Sequence, residues 1–363
     1  MSGTDAGNTD RGVQAGKGLV AGTSGRRWPG GEDLTAATLF AATALLIAGS
    51  RWISPDLGSL SEVKSVLVLS SFVMVVGFGQ QTVILIGGLD LAVSSVTTLG
   101  AILLFSWVGG RSIDLLWGVP AVLVITGSIG ALNGVCIALL RVPAFVMTLA
   151  ASIIVGSAVL GITGGSPLGT VSDLLVGLFT ASWLGVPPIV YLMAGFTAAV
   201  TMVQRRTAFG RMLYAIGTSP DAARIAGLPV EHVTILCYAL SGAAAGLAGI
   251  LMVGFANGAS MNSGEGLLFP SIAAVVIGGT SIVGGRGNYP GAVGGALLLT
   301  TLSTMVSALG IAAGWRIVIY GTVILIALLA LQEDLYLWLA RLGNIRSSGP
   351  RDRHRIGLNR GAP

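Results

Sequence analysis

The chain of 363 residues is 53% apolar and only 10% charged, with a mean hydropathy of +0.86. Soluble domains carry roughly 25% charged residues, so this composition excludes an ordinary water-soluble globular protein. The formal net charge of +5 comes from basic residues that flank apolar segments, and it requires no nucleic-acid partner.

Long stretches without charge account for most of the chain. Residues 142–172 and 232–264 contain no Asp, Glu, Lys or Arg, and a bilayer-spanning helix needs ~20 predominantly apolar residues. We therefore predict an all-α, polytopic membrane protein with about ten transmembrane helices, rather than a soluble all-α protein with buried helices. The predicted spans are 34–50, 65–88, 91–108, 116–140, 144–162, 185–203, 233–255, 268–284, 290–309 and 315–332.

The basic residues predict how these spans are oriented. Residues 1–33 read as a disordered cytoplasmic tail, 34–332 as the transmembrane domain, and 333–363 as a basic cytoplasmic tail that faces anionic lipid. Cytoplasmic segments of membrane proteins are enriched in Lys and Arg. With a cytoplasmic N-terminus, ten spans place sixteen of the twenty basic residues inside and four outside. We expect a multi-pass protein of the cell (inner) membrane with both termini in the cytoplasm.

A lone carboxylate separates the second and third predicted spans. Asp90 follows Gly87 and Gly88 with almost no intervening loop. An acid at this place can cap the following helix, because negative charge is favourable near a helix N-terminus. It can also organise a broken helix on a substrate path. The two roles are compatible.

The segment 204–232 is the only long charged segment between predicted spans, and it contains the signals of a short helix. Ser219 is a suitable N-cap, and Pro220 suits the first helical position. Gly227 can provide a left-handed C-terminal cap, and Pro229 prevents continuation. A helix of two turns is not stable alone in water, so we predict that it packs against its own protein or against a cytoplasmic partner.

A glycine-rich segment follows the eighth predicted span. Gly284, Gly285, Arg286 and Gly287 read as a structural turn between two helices at the cytoplasmic face. The segment resembles a phosphate-binding loop only superficially, because it lacks the Gly-Lys-Ser/Thr sequence and follows no strand. The chain offers no catalytic set and no metal-ligand spacing around its two histidines, so we expect no enzymatic activity, no metal and no cofactor.

Several of these motifs resemble the permease subunits of ribose-type (monosaccharide) ABC importers, a family also related to branched-chain amino-acid permeases. The resemblance extends over roughly 65–332. Residues 87–93 (GGLDLAV) are similar to the family's Gly-Gly-Ile-Asp-Leu-Ser-Val, and 141–149 (RVPAFVMTL) to its junction between the fourth and fifth helices. The most specific match combines 264–266 (GEG), 272–281 (IAAVVIGGTS) and 284–287 (GGRG).

The resemblance implies a role for the short helix in 204–232. Family members carry a Glu-Ala-Ala-x-x-x-Gly coupling helix that docks on the ATP-binding subunit, and here Asp replaces Glu. The residues that the resemblance assigns to coupling are Asp221, Ala222, Ala223, Arg224 and Gly227. We interpret the two alanines as small residues that permit close docking on the partner.

The resemblance also implies transport by alternating access. The implied partners are ABC ATP-binding subunits that bind the ATP, an extracytoplasmic solute-binding protein, and a second permease subunit, identical or different, within the lipid bilayer. Polar residues in or near apolar spans are candidates for the translocation path, because an unpaired polar group is costly in lipid. These candidates are Gln80, Gln81, Asp90, Asn133, Thr148 and Glu265.

Two alternatives remain open from the sequence. An ion-coupled secondary transporter would need several acids within its spans for an ion relay, whereas only Asp90 and Glu265 come near one. An ABC permease for branched-chain amino acids or nucleosides would share the motifs above. Within the sugar reading, a pentose, a hexose, a polyol and an autoinducer-like sugar are all compatible with the sequence.

Overall fold

The computed structural model describes residues 31–52, 57–108 and 110–330. Both predicted tails therefore lie outside the described residues, except that the first helix already begins within 1–33. The described part is helical, with one isolated β-bridge between Trp183 and Val186. Its α-helices are α1 Gly31–Ser50, α2 Leu60–Leu85, α3 Val93–Trp107, α4 Leu115–Ala138, α5 Ala144–Thr163, α6 Asp173–Thr180, α7 Pro188–Arg206, α8 Ala208–Thr218, α9 Pro220–Ile225, α10 Val230–Ala256, α11 Leu268–Ile277, α12 Tyr289–Ala308 and α13 Ala313–Ala330, with a 3₁₀ turn at Ser112–Asp114.

The prediction of an all-α polytopic membrane protein is confirmed. Each of the predicted spans overlaps one of the helices. Among the described residues, five helical segments are long and apolar enough to cross a membrane, namely α2, the 3₁₀ turn continued by α4, α5, α10 and α12. The exact number of crossings stays a prediction.

Two of the predicted spans are shorter helices than the sequence suggested. α3 has 15 residues and α11 has 10, and at 1.5 Å per residue they rise about 22 and 15 Å, less than the ~30 Å of a bilayer core. The apolar run of 268–284 does not stay helical, because Gly278 and Gly279 turn the chain and Gly279 has a φ of 87°. Short helices beside turns are typical of broken, partly re-entrant segments.

Local sequence chemistry sets where several helices begin. The side chains of Ser59, Thr207, Ser219 and Asn288 each accept a hydrogen bond from a backbone N–H in the first turn of α2, α8, α9 and α12. Such caps satisfy donors that the helix itself leaves unpaired. The predicted cap at Ser219 is therefore confirmed.

Helix α10 lies at the centre of the described bundle and packs against α2, α3 and α4. A Cβ atom at Gly130 of α4 would overlap the backbone of Tyr238, and one at Gly242 of α10 would overlap the carbonyl of Thr126. The two backbones can approach this closely only because these positions carry no side chain, which is how small residues bring membrane helices together. This close packing fixes Ser241 and Tyr238 of α10 next to the chain break described below.

Candidate functional site

The chain between α2 and α3 leaves the helical conformation at Gly87–Ala92. Gly87 adopts a φ of 79°, its N–H donates to the carbonyl of Ile84 at 2.9 Å, and the N–H of Gly88 donates to Val83 at 2.9 Å. These two bonds form a glycine C-cap that closes α2. A Cβ atom at Gly88 would lie 2.5 Å from the hydroxyl of Tyr238, so the break also depends on glycine for room.

Asp90 is buried at this break, with 2% of its surface exposed. Its Oδ1 accepts a hydrogen bond from the N–H of Ala92 at 2.9 Å, and its Oδ2 accepts one from Ser241 Oγ of α10 at 2.7 Å. The carboxylate thus satisfies a donor just ahead of α3 and joins the break to α10. Asp90 bonds the N–H of Ala92, the residue before α3, and no side chain caps the first turn of that helix; the place of Asp90 on a substrate path stays a prediction.

The carbonyl groups of the break receive side-chain donors from three helices. Gln80 Nε2 donates to the carbonyl of Asp90 at 2.9 Å, and Thr148 Oγ1 and Tyr238 Oη reach the carbonyl of Leu89 at 3.4 and 3.5 Å. Non-helical backbone inside a membrane protein needs such partners, because lipid supplies none. Of the predicted path residues, Gln80 therefore helps to hold the break in place, whereas Thr148 donates its hydroxyl proton mainly to the carbonyl of Ala144 in its own helix, at 2.8 Å.

Gln81 points into a second network beside the break. Its Nε2 donates to Thr280 Oγ1 at 3.2 Å, and its Oε1 accepts from Gln204 Nε2 at 3.0 Å. Gln204 Oε1 in turn accepts from the backbone N–H of Tyr289 at 3.0 Å. The two glutamines, both buried, connect α2, α7 and the start of α12 to the glycine-rich segment.

The glycine-rich segment is a turn between α11 and α12, as the sequence indicates. Gly284, Gly285 and Gly287 have φ values of 101°, 73° and 137°, which a residue with a side chain rarely adopts. The N–H of Gly285 donates to the carbonyl of Leu85 at the end of α2, at 2.9 Å, while the side chain of Arg286 is exposed. The turn therefore packs directly on the break.

The predicted cytoplasmic segment 204–232 contains two helices where the sequence predicted one. Helix α8 leads into α9, and Gly217 near its end lies so close to Leu85 and Gly285 that a Cβ atom there would overlap both backbones. Tyr214 Oη of α8 donates to the carbonyl of Gly287 at 2.8 Å. Helix α8 thus joins α9 to the break and to the glycine-rich turn.

Both ends of α9 have the predicted caps. The N–H of Ala222 donates to Ser219 Oγ at 3.3 Å, Gly227 has a φ of 79°, and the N–H of Leu228 donates to the carbonyl of Ala223 at 3.0 Å. This last bond is the wide ring of a Schellman cap. Asp221 and Glu231 both bind Arg224, at 3.1 and 3.0 Å.

The structure reverses the expected orientation of Ala223. Its side chain is 4% exposed and packs in an apolar cluster of its own protein, together with Leu85, Leu213 and Tyr238. Its small size therefore serves internal packing, and a bulky residue at 223 would disturb this cluster before it reached a partner. The exposed residues of α9 are Pro220, Asp221, Ala222, Arg224 and Ile225, and Ala226 and Gly227, which follow the helix, are exposed as well. The sequence analysis did not single out Ile225, although a large apolar residue on a short charged helix was a signal for it.

The two remaining path candidates lie apart from the break. Asn133 is buried in α4. Glu265 is exposed in the turn between α10 and α11, where it lines a cavity of about 190 Å³. The cavity also contacts Ser94, Ser95 and Thr98 of α3, Val159 of α5 and Asn262. The sequence analysis missed these residues, although the hydroxyl-rich start of the third span was a signal for three of them.

Among the described residues no group of three His, Cys, Asp or Glu side chains could hold a metal ion. The polar atoms of the site are instead arranged for hydrogen bonding, and they stabilise a non-helical chain inside an apolar bundle. Such an arrangement can transmit movement and contact a solute.

Comparison with known proteins gives consistent matches. Residues 63–328 match the family described as "Branched-chain amino acid transport system / permease component". The ribose import permease protein RbsC of Escherichia coli strain K12 is 34% identical over 310 residues, which cover 84% of this chain and 96% of the relative. RbsC of Bacillus subtilis strain 168 is 34% identical over 263 residues (70% and 79%), and the autoinducer 2 import system permease protein LsrC of Photorhabdus luminescens is 30% identical over 275 residues (75% and 82%). No solved structure matches the chain.

Proposed function

Because the chain belongs to the family of permease components of branched-chain amino acid transport systems, and within it to the ribose-type ABC permeases, we propose that it moves a sugar or sugar-like solute into the cell. The observation that carries the proposal is its similarity to a ribose import permease along 96% of that protein's length. A relative named for autoinducer 2 import supports the same class of solute. The family description names branched-chain amino-acid transport, but the relatives above are named for ribose and autoinducer 2 import, so the sugar class is favoured over the amino-acid, nucleoside and ion-coupled alternatives.

The importer would contain several subunits. Two ATP-binding subunits bind and hydrolyse the ATP in the cytoplasm, a solute-binding protein delivers the solute outside, and a second permease subunit completes the path in the cell membrane. This chain then needs no cofactor of its own. Its contribution is to open the path to one side of the membrane at a time.

The packing supports a direct mechanical route from α9 to the path. Helices α8 and α9, the end of α2 and the start of α10 share one apolar cluster. Leu85 of that cluster accepts the hydrogen bond from Gly285, and Tyr238 reaches the carbonyl of Leu89. Because packed interiors resist compression, a push on α9 moves α8 against the break and so tilts α3.

The docking surface of α9 can be tested at Ile225, whose side chain is 89% exposed. Replacing Ile225 by Glu places a charge where an apolar contact with the ATP-binding subunit is proposed, and full burial of an Ile stabilises a contact by about 1.5–3 kcal/mol. We expect Ile225→Glu to reduce co-purification with the ATP-binding subunit at least about tenfold. The matched control is Leu168→Glu, which changes a leucine that is 81% exposed between α5 and α6. Equal recovery of the ATP-binding subunit with both variants would refute docking at α9.

The orientation of the chain is proposed from two patterns. The basic residues are divided sixteen to four, and five exposed tryptophans lie at helix ends or loops that this topology places outside. Trp107 and Trp117, at the end of α3 and near the start of α4, stack with their ring centroids 6.4 Å apart. The others are Trp52, Trp183 and Trp315. Tryptophan is enriched at membrane interfaces, so the placement of these five residues on the outer side supports the proposed orientation.

Reporter fusions can test this orientation. A reporter inserted within 257–263, after α10, is expected to be active outside, and one inserted within 208–218, in α8, is expected to be active inside. The physical reason is the preference of Lys and Arg for the cytoplasmic side. If both reporters are found on the same side, the ten-span topology is wrong.

A further inference from the structure

The cavity between α3, α5 and the turn after α10 has the size and chemistry of a solute site. We propose that it binds the transported solute and selects a small, uncharged, polyhydroxylated molecule the size of a single sugar ring. This inference rests on the proposed function, and it specifies where and by which side chains the solute is recognised. The sequence predicts Glu265 as a residue of the translocation path, and the structure adds the cavity that it lines with Ser94 and Asn262.

Three polar side chains around the cavity are available for a ligand. Ser94, Asn262 and Glu265 form no side-chain hydrogen bond or ion pair with any residue that the structure describes. By contrast, Ser95 Oγ donates to the carbonyl of Ala92, and Thr98 Oγ1 accepts from the N–H of Gly264 at 3.0 Å. Ser94, Asn262 and Glu265 therefore offer a hydroxyl, an amide and a carboxylate. These groups can both donate and accept hydrogen bonds, as adjacent sugar hydroxyls require.

The charge of the lining selects the class of solute. Glu265 is the only charged residue among those that line the cavity. A phosphate or carboxylate of a ligand would meet the Glu265 carboxylate, and two like charges in contact repel each other even at an exposed site. The α-carboxylate of an amino acid would find no Lys or Arg in the lining to pair with it. A neutral polyol meets neither obstacle.

The apolar part of the lining fits the same class of molecule. Val159 of α5 and Met261 of the turn face the cavity opposite the hydroxyls of α3. A sugar ring presents C–H groups on one face and hydroxyls at its edge, so a site with an apolar wall and a few polar groups suits it. The volume of about 190 Å³ lies below the roughly 300–1,000 Å³ of typical ligand pockets, so the size of the cavity favours a molecule as small as one sugar ring.

The turn reaches α3 because of a glycine. A Cβ atom at Gly264 would overlap the carbonyl of Ser94, and its nearest further neighbour would be Thr97 Cβ at 2.9 Å. Only glycine lets the turn lie against the first turn of α3, and this contact brings Asn262 and Glu265 into the same cavity lining as Ser94. The cavity also begins directly after the Asp90 break, so a tilt of α3 would change its shape.

The test uses the complete importer, reconstituted in liposomes with its ATP-binding subunit and solute-binding protein. Radiolabelled ribose is the probe, leucine is the zwitterionic comparison, and the measurement is solute taken up per ATP hydrolysed. Glu265→Ala is expected to lower ribose uptake per ATP about tenfold or more, the effect of losing hydrogen bonds to a charged group. Glu265→Gln should lose less, because the amide keeps one acceptor. Asp173→Ala, which truncates an exposed carboxylate at the start of α6, is the control and should stay within about twofold of the unchanged protein.

A second measurement covers the case in which the Glu265 variants fail to assemble. In a chain whose two cysteines, Cys136 and Cys237, are replaced by alanine, Ser94→Cys is labelled with a small maleimide. Excess ribose should slow the labelling at least about threefold, whereas excess leucine should not.

The outcomes separate the two proposals. If the unchanged importer takes up leucine and no ribose or other neutral sugar, the proposed function is wrong and this inference falls with it. If ribose is taken up but Glu265→Ala and Ser94→Ala both keep the full uptake per ATP, the function stands and the cavity is not the solute site. Unchanged labelling of Ser94→Cys in excess ribose would overturn the cavity in the same way.

Discussion

Replacing Gly217 by valine is expected to lower ATP-driven uptake at least about tenfold. A Cβ atom at this position would overlap the carbonyl of Leu85 and lie 2.5 Å from the backbone nitrogen of Gly285. Backbone atoms cannot rotate away as a side chain can, so α8 must move off the end of α2. Overpacking of this kind costs about 1–3 kcal/mol or more, and it breaks the proposed route from α9 to the Asp90 break.

The measurement for Gly217→Val is solute uptake by the reconstituted importer together with the amount of assembled complex. Gly195→Val is the matched control, because Gly195 lies in α7 and nothing would lie within 4 Å of an added Cβ atom there. The control should transport like the unchanged protein. Normal uptake by Gly217→Val would show that contact between α8 and the end of α2 is not needed for coupling.

Replacing Asp90 by alanine is expected to destabilise the protein strongly. The change removes the acceptor of two buried donors, Ser241 Oγ and the N–H of Ala92. Each buried donor left unpaired costs about 1–3 kcal/mol, so the loss is on the order of 2–6 kcal/mol against a typical stability of 5–15 kcal/mol. We expect a lower yield of folded protein and a clear fall in melting temperature in detergent.

Asp90→Asn separates hydrogen bonding from charge at this position. The asparagine oxygen can accept from Ala92, and its amide can donate to the hydroxyl of Ser241, so most of the stability should return. Uptake should return as well if Asp90 serves to hold the break. If the Asp90→Asn protein is stable but transports nothing, transport depends on the charge of Asp90, as an ion-coupled mechanism requires. An alanine variant as stable as the unchanged protein would contradict the structural role.

Local chemistry predicted the ends of α9 correctly. Ser219 caps the helix because its Oγ accepts a hydrogen bond from the N–H of Ala222, three residues further along the chain. Gly227 adopts the left-handed conformation that ends the helix. Both effects act over a few residues, so they can be read from adjacent positions in the chain. The same holds for the glycine-rich turn, whose positive φ values follow from the residues themselves.

Long apolar stretches without charge predicted that the helices exist but not where two of them stop. The run 268–284 is apolar throughout, and its helix ends at Ile277. Hydropathy indicates which segments can be buried in lipid or in a protein interior. It does not indicate which residues of an apolar segment are helical. The helix ends where Gly279 takes a φ of 87°. Gly278 lets this turn pack on α12, because a Cβ atom there would lie 2.5 Å from the backbone of α12.

The amino-acid sequence by itself determined the membrane-spanning helical class, the family motifs, the broken chain at Asp90 and the caps of the short cytoplasmic helix, because composition and near-neighbour chemistry govern each of them. The tertiary structure decided which groups meet. Ser241 lies 151 residues from Asp90, Ala223 turns inward onto Leu85 and Tyr238, and Ser94 and Glu265 line the same cavity. Such contacts depend on how whole helices pack against one another. Glycines permit this close packing, but which helix packs against a given glycine depends on the fold as a whole.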